Sequence, residues 1–422
     1  MGLMLRRSLT CFLLVIFVSI LWLFSPAPKS AGDFCGRFVS INSEMGFVVN
    51  CDAGTYAYPA ASPARLLRKE EVRQSRPLYV LMGTIVGYPL SAFARIVDPG
   101  IDPRAPFHIG FAILNFMILT ASVLLFDSLL SRAGVDRLVI APLAVFLVAN
   151  DVTRAFVWTA HQQMFSIFTP LVSLDMFRRV ADAPALTRGR LWALALGLGF
   201  LPLVYGNFII VLPVLLLADA WSRPRPGTGI AAGSIFRYGP AIVAFFVPTL
   251  AWMTLVTWIA GSYYNHEMVV YRQLVWVADA AQTGVPGFVG QVARNTRAFG
   301  ATFLSAEMLP LLGACLLFLV RRPPGGSADS RGKGVGDPVR VGVLARGSLV
   351  VAACFFLFLW VLGYYQPRLT YSLVPPALCL AALGLSRIAG TDRVALRRTA
   401  WIVTPLACVW IAYHVMKYGP FG

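Results

Sequence analysis

Charge is what this 422-residue sequence is short of. Only 13% of its residues are Asp, Glu, Lys or Arg, against 58% hydrophobic, and the mean hydropathy is +0.70. A soluble domain of this length carries nearly twice that charge, which excludes the soluble globular class. Motifs are missing as well. There is no GxGxxG, Walker or HExxH sequence, which argues against an ATP-driven pump. No CxxC or Cys/His pattern has metal-site spacing. The apolar runs do not alternate with polar residues, so a transmembrane barrel is excluded too.

What is present is a succession of apolar runs of about 17–25 residues, each long enough to cross a bilayer as a helix. In hydrocarbon the backbone must satisfy its own hydrogen bonds, so the runs predict helices. The net charge of +17 would suit nucleic acid, but the arginines cluster in short loops at alternate ends of the runs. That is the positive-inside bias of a membrane protein, so no nucleic-acid partner is expected. Of seven cysteines, Cys11, Cys315, Cys354, Cys379 and Cys408 lie in apolar runs. Cys35 and Cys51 alone share a polar loop.

Taken in order, Arg6 and Arg7 precede an apolar run over 8–25 that reads as a retained first helix, because Ser25-Pro26-Ala27-Pro28 is a poor cleavage site. The interval 26–104 is then a long first extracytoplasmic loop. Within it, 64–75 predicts a short amphipathic helix. The stretch 78–97, interrupted by Gly83, Gly87 and Pro89, predicts an interfacial or re-entrant segment. Spans follow over 106–127, 138–149 and 155–177. The run 191–221 is too long for one simple crossing and has Pro202, Gly206 and Asn207 at its middle, so it predicts two short helices. A second large extracytoplasmic loop occupies 261–301, and 321–346 reads as a flexible cytoplasmic linker. The expectation is a single all-α polytopic domain of about eleven transmembrane helices, N-terminus cytoplasmic.

Four places on the extracytoplasmic side hold polar groups. Asp52, beside Tyr56 and Tyr58, could take a proton from a hydroxyl nucleophile or simply close an Asx turn before Gly54. Arg76, fixed by Pro77, could grip a lipid-linked phosphate or only headgroups. Asp151 and Arg154 form either a helix-end ion pair or part of a site, with His161, Gln162 and Gln163 beyond them; a histidine near membrane depth points to function. Tyr364, Tyr365 and Tyr371 surround Arg368. An aromatic belt explains the tyrosines, but not an arginine on the arginine-poor side. A base, phosphate-binding cations and an apolar groove together suit sugar transfer from a polyprenyl-phosphate donor.

The layout resembles the GT-C superfamily of integral-membrane glycosyltransferases. The resemblance rests on Asp52 in the first outer loop, Arg76-Pro77-Leu78 closing it, and the short helix pair over 191–221. It also rests on Pro367-Arg368-Leu369-Thr370-Tyr371 leading into Val374-Pro375. It implies a GT-C-like bundle in a cell membrane, taken as a bacterial inner membrane. The implied donor is a polyprenyl-phosphate-linked sugar and the acceptor a glycan or lipid. Asp52 would be the catalytic acid, with Asp151 second; Arg76 and Arg368 would hold the donor phosphate; Tyr56, His161, Gln162 and Tyr365 would line the site. Some relatives use a divalent metal ion, though no acidic cluster here demands one. The chain departs from the pattern in having Cys51, not a second acid, beside Asp52. In an extracytoplasmic loop a Cys35–Cys51 disulfide can persist and would hold Asp52 in place. Two other classes remain open from the sequence: a transporter or lipid flippase, and a non-enzymatic assembly partner.

Overall fold

The computed structural model of the chain describes residues 2–27, 35–183, 185–223, 230–304, 308, 338–390 and 392–417. In chain order the helices are α1 Gly2–Leu21, α2 Ala53–Ala61, α3 Pro77–Val97, α4 Ala105–Arg132, α5 Arg137–Val148 and α6 Asp151–Phe156. There follow α7 Phe165–Asp182, α8 Arg188–Leu198, α9 Val211–Trp221, α10 Ile230–Ala260, α11 His266–Val269 and α12 Val275–Gln282. The last are α13 Gly284–Phe303, α14 Pro338–Leu362, α15 Pro367–Thr370, α16 Val374–Ala389 and α17 Arg393–Met416. Between α1 and α2 two strands, β1 Gly36–Ser40 and β2 Gly46–Asn50, pair antiparallel from Gly36↔Asn50 to Ser40↔Gly46.

Among the described residues seven stretches are long and apolar enough to cross a membrane: Leu5–Phe24, Pro77–Val97, Ala105–Arg132, Phe236–Ala260, Val339–Leu362, Pro367–Ala389 and Arg393–Met416. Arg137–Val148 and Gly206–Trp221 are apolar but shorter. The protein is a multi-pass membrane protein with an all-α bundle. Its interior is built on Pro367–Ala389, whose most apolar window is 78% buried, and on Ala105–Arg132. Phe236–Ala260 and Arg393–Met416 bury only 17% of theirs and lie at the periphery of the described bundle. Most of the linker 321–346 lies outside the described residues. The end of that linker, 338–346, is helical and opens α14.

Local packing explains where the helices depart from the sequence reading. Gly83, Gly87 and Pro89 do not interrupt α3, which is one unbroken helix of 21 residues. The two glycines let α4 come close. A Cβ on Gly83 would stand 2.1 Å from Phe111 Cζ, one on Gly87 2.3 Å from Phe107 Cδ1, and one on Gly110 3.1 Å from the Gly87 nitrogen. Small residues four apart are a common device for close helix contact in membranes.

Residues 155–177 are not one helix. α6 ends at Phe156 and α7 begins at Phe165, with an extended turn between. The break is stable because buried Asn115 of α4 donates its side-chain amide to the carbonyls of Phe156, Val157 and Thr159 at 2.9, 3.2 and 2.8 Å. His161 therefore sits in extended backbone rather than two turns into a helix.

The expected helix over 64–75 is also absent. A short 3-10 turn, Pro63–Leu67, gives way to turns that include Glu70 at φ 59°. Gln74 organises them: its amide donates to Arg68 O at 2.6 Å, while Gln74 Oε1 accepts from the Tyr264 N–H and its carbonyl from Trp252 Nε1. These long-range bonds outweigh local helix propensity. The run 191–221 is two short helices, α8 and α9, joined by 3-10 turns around Pro202 and Gly206.

Candidate active site

The hairpin β1–β2 fixes the position of Asp52. Cys35 and Cys51 close its open end as a disulfide, with Cα atoms 5.4 Å apart, and Cys51 N–H donates to Cys35 O. Asn50 anchors the end of β2 to the bundle, its N–H donating to Thr159 Oγ1 at 3.0 Å. The Asn50 side chain then accepts the Asp52 N–H at 2.9 Å. Asp52 thus begins α2 with its carboxylate free of any capping role. Sequence allowed an Asx turn there; Asn50 supplies that bond instead.

Three groups act on the Asp52 carboxylate, two of them in contact with it. Arg73 Nη2 lies 2.9 Å from Oδ1, set off the N–H axis, so the contact is an ion pair more than a hydrogen bond. Arg73 is held from behind: Nε donates to Thr55 Oγ1 at 2.7 Å, and the guanidinium lies 4.0 Å above the centre of the Tyr56 ring. His161 Nε2 stands 3.6 Å from Oδ2, a long contact. Its other ring nitrogen, Nδ1, accepts the Gln163 N–H at 3.1 Å, so the ring proton resides on Nε2 and faces Asp52. Burial holds His161 down at about 4, against the pull of Asp52, so it is neutral near pH 7. Burial alone would raise the Asp52 carboxyl; the His161 contact and the charges of Arg73 and Arg368 win, leaving it well below the ordinary carboxylate range.

Arg368 is the third group. It opens α15, and its backbone carbonyl accepts from Gln163 Nε2 at 3.2 Å, tying it to the His161 turn. Its guanidinium lies 5.8 Å from the Phe156 ring centre. Its Nε is buried without a hydrogen-bond partner, and among the described residues no carboxylate is paired with it. Arg76 differs. Its Nη2 meets Glu267 Oε1 at 2.5 Å, and Nη1 donates to the buried Tyr56 hydroxyl at 2.8 Å. Ser75 Oγ donates to the other Glu267 oxygen at 3.1 Å.

The structure therefore gathers Asp52, Tyr56, His161, Arg76 and Arg368 on one face. Gln162 is adjacent and buried, with Oε1 unpartnered. Asp151 is placed in a different cluster. It is 2% exposed, and its oxygens meet His414 Nδ1 and Lys417 Nζ, each at 2.9 Å, with Arg154 Nη2 at 3.4 Å. Arg154 also donates to the carbonyls of His414 and Lys417, so this cluster clamps the end of α17. Tyr365 turns its hydroxyl to Trp360 O at 2.8 Å and packs on Phe299. Sequence reasoning did not single out Arg73 or Glu267. Arg73 was one of several charges in a basic run, and Glu267 one of many polar residues in 261–301.

Among the described residues no group of three His, Cys, Asp or Glu side chains is placed to hold a metal ion. The carboxylates of the site, Asp52 and Glu267, each face a guanidinium. That donor set does not fit a divalent cation, and no step is assigned to one.

No family model matches the chain, and no curated protein matches it. Solved structures to which it is similar include the following two. One is ArnT from Cupriavidus metallidurans bound to undecaprenyl phosphate, at 12% identity and TM-score 0.48 over 96% of this chain. The other is an Archaeoglobus fulgidus oligosaccharyltransferase in its apo form, at 13% identity and TM-score 0.40 over 98% of this chain. The chain spans 63% of the length of the first and 56% of the second.

Proposed function

We propose that the protein is a membrane glycosyltransferase that moves a sugar from a polyprenyl-phosphate donor to a hydroxyl acceptor, with Asp52 as the proton acceptor and Arg368 at the donor phosphate. The observation that carries this reading is the pairing pattern. Asp52 is a half-open carboxylate locked by a disulfide, Arg73 and His161, and beside it Arg368 has no carboxylate of its own. A half-buried guanidinium whose buried Nε has no partner has donors to spare, and a lipid phosphate would complete it. In the transfer, the acceptor oxygen bonds to the anomeric carbon, and the bond from that carbon to the phosphate oxygen breaks with its electron pair going to phosphate. The hydroxyl proton passes to Asp52, and polyprenyl phosphate leaves against Arg368. A carboxylate of low basicity suffices, because the acceptor hydroxyl becomes strongly acidic as its oxygen bonds to carbon. His161 and Arg73 orient the carboxylate. The reading puts this face outside the cytoplasm, opposite the arginine-rich loop ends.

The test uses the protein in liposomes with a labelled polyprenyl-phosphate sugar. Asp52→Asn should cut transfer by about 100-fold or more. Arg368→Gln should weaken binding of the sugar-free lipid phosphate by roughly 10- to 100-fold, since it deletes a charge-assisted contact. Normal transfer by Asp52→Asn, or wild-type protein that carries the lipid across the bilayer without transferring sugar, would overturn the proposal in favour of transport.

A further inference from the structure

The segment that follows α10 runs from the Gln74–Arg76 turn to the end of α14. Tyr264 N–H binds the Gln74 side chain at 2.8 Å, and Glu267 binds Arg76 and Ser75, so one end is fastened beside Arg76. The other end is fastened near Arg368: Leu274 N–H donates to Leu362 O at 3.0 Å and Trp276 Nε1 to Val361 O at 2.8 Å. Arg272 and Leu274 hold left-handed backbone, φ 52° and 62°, which side-chain-bearing residues keep only when their surroundings impose it. The strap is thus a built element, with one end gripping Arg76 through Glu267 and the other fastened to the end of α14, six residues before Arg368.

Between these fastenings lie rings. Tyr271 stacks on Tyr364 with centres 4.6 Å apart and planes 23° apart; His266 meets Tyr271 edge-on at 5.4 Å. Tyr264 hydroxyl and His266 Nδ1 are 3.2 Å apart. All four rings are half-buried, so each keeps part of its surface open. Burial raises the Tyr271 hydroxyl, the charge of Asp52 raises it further, and Arg368 and Arg73 oppose that shift. In sequence Tyr364 lies four residues before Arg368, and His266 is next to Glu267, which pairs with Arg76.

The geometry points to the Tyr271–Tyr364 stack, edged by His266, as the platform that binds the sugar of the donor. This deepens the glycosyltransferase reading and rests on it. A pyranose has an apolar C–H face that lies against an aromatic ring and a rim of hydroxyls that seek polar atoms. A stacked tyrosine pair with a histidine beside it offers both. An arginine at the phosphate and rings at the sugar would orient the anomeric carbon toward Asp52. Membrane-surface anchoring also uses tyrosine, but it acts on any lipid alike.

The experiment measures binding of two lipids to the purified full chain: polyprenyl phosphate, and the same lipid carrying a hexose. Tyr271→Ala should weaken the sugar-bearing lipid by about 10-fold, the upper range for one aromatic contact, and leave the sugar-free lipid within about twofold. Retained binding of the sugar-free lipid also reports that the variant is folded. Tyr271→Phe, which keeps the ring, should keep both affinities. Equal loss for both lipids, or no loss for either, overturns the platform and leaves the Asp52 reading standing. Wild-type protein that binds neither lipid overturns both.

Discussion

Reducing the Cys35–Cys51 disulfide should loosen the hairpin and slow transfer while leaving lipid-phosphate binding intact. The bond closes a loop of sequence separation 16. By the chain-entropy relation a loop of that size is worth about 3 kcal/mol. At 1.4 kcal/mol per tenfold, that corresponds to roughly a 100-fold rise in the open population of the hairpin. The remaining ladder is short, five Cα pairs from Gly36↔Asn50 to Ser40↔Gly46, and an isolated two-stranded hairpin is marginal in water. The loosened end is the one that holds Asp52, through Asn50 Oδ1 and the Asn50–Thr159 bond. Arg368 is held from elsewhere, by Gln163. The assay is amide hydrogen exchange over β1 and β2 before and after reduction, with Cys35→Ser/Cys51→Ser as the matched variant. Transfer and lipid binding are followed on the same samples. Exchange should quicken by up to about 100-fold over β1 and β2 and transfer should fall. Unchanged exchange would refute the entropic argument; quickened exchange with undiminished transfer would refute the idea that the disulfide positions the acid.

Other outcomes follow from the same geometry. His161 is held at about 4, below its unfolded value near 6.5, so the unfolded chain binds the extra proton between those limits. Stability should therefore fall as pH drops from about 6.5 toward 4, by at most about 1.4 kcal/mol per unit. Thermal unfolding in detergent should show this slope, and His161→Asn should flatten it. For the same reason transfer should show no acid limb between pH 6 and 8; an apparent pKa of 6 to 7 there would contradict a neutral His161. Gly83→Val should destabilise the bundle by roughly 1–3 kcal/mol or more, because even a Cβ stands 2.1 Å from the Phe111 ring; a Tm equal to wild type would show that α3 and α4 can move apart. Asp151→Asn removes the carboxylate shared by His414, Lys417 and Arg154 and should cost about 3–5 kcal/mol of stability. Its surviving folded fraction should still bind polyprenyl phosphate; lost binding in folded protein would return Asp151 to the site.

The membrane class was legible because hydropathy is a local property, and so was the helix pair over 191–221, where Pro202 and Gly206 mark the bend. The hairpin was not, since β1 and β2 are too short to stand out beside long apolar runs. Helices were misjudged wherever a distant side chain decides the backbone. Asn115 stabilises the break after Phe156 across some 40 residues of sequence, and Gln74 imposes turns on 64–75 through Trp252 and Tyr264. Glycines misled in the opposite direction: Gly83 and Gly87 read as breaks in α3, but their small size serves contact with Phe111 and Phe107.

The site shows the same division more sharply. Asp52 could be found from its own neighbourhood, an acid directly after a cysteine with a partner in the same loop. Its ion-pair partner Arg73, one charge in a basic run, could not. In sequence Arg76 and Arg368 look alike, each beside a proline at the end of an apolar helix, and both suggest a phosphate ligand. What separates them is Glu267, 191 residues beyond Arg76, which fills the anion position on one and leaves the other without a carboxylate. Such pairings are set by helix register and by how the 261–301 segment folds back, and hydropathy carries no trace of either. On the proposed reading the donor phosphate therefore falls to Arg368, while Arg76 is the point where the segment after α10 is fastened through Glu267.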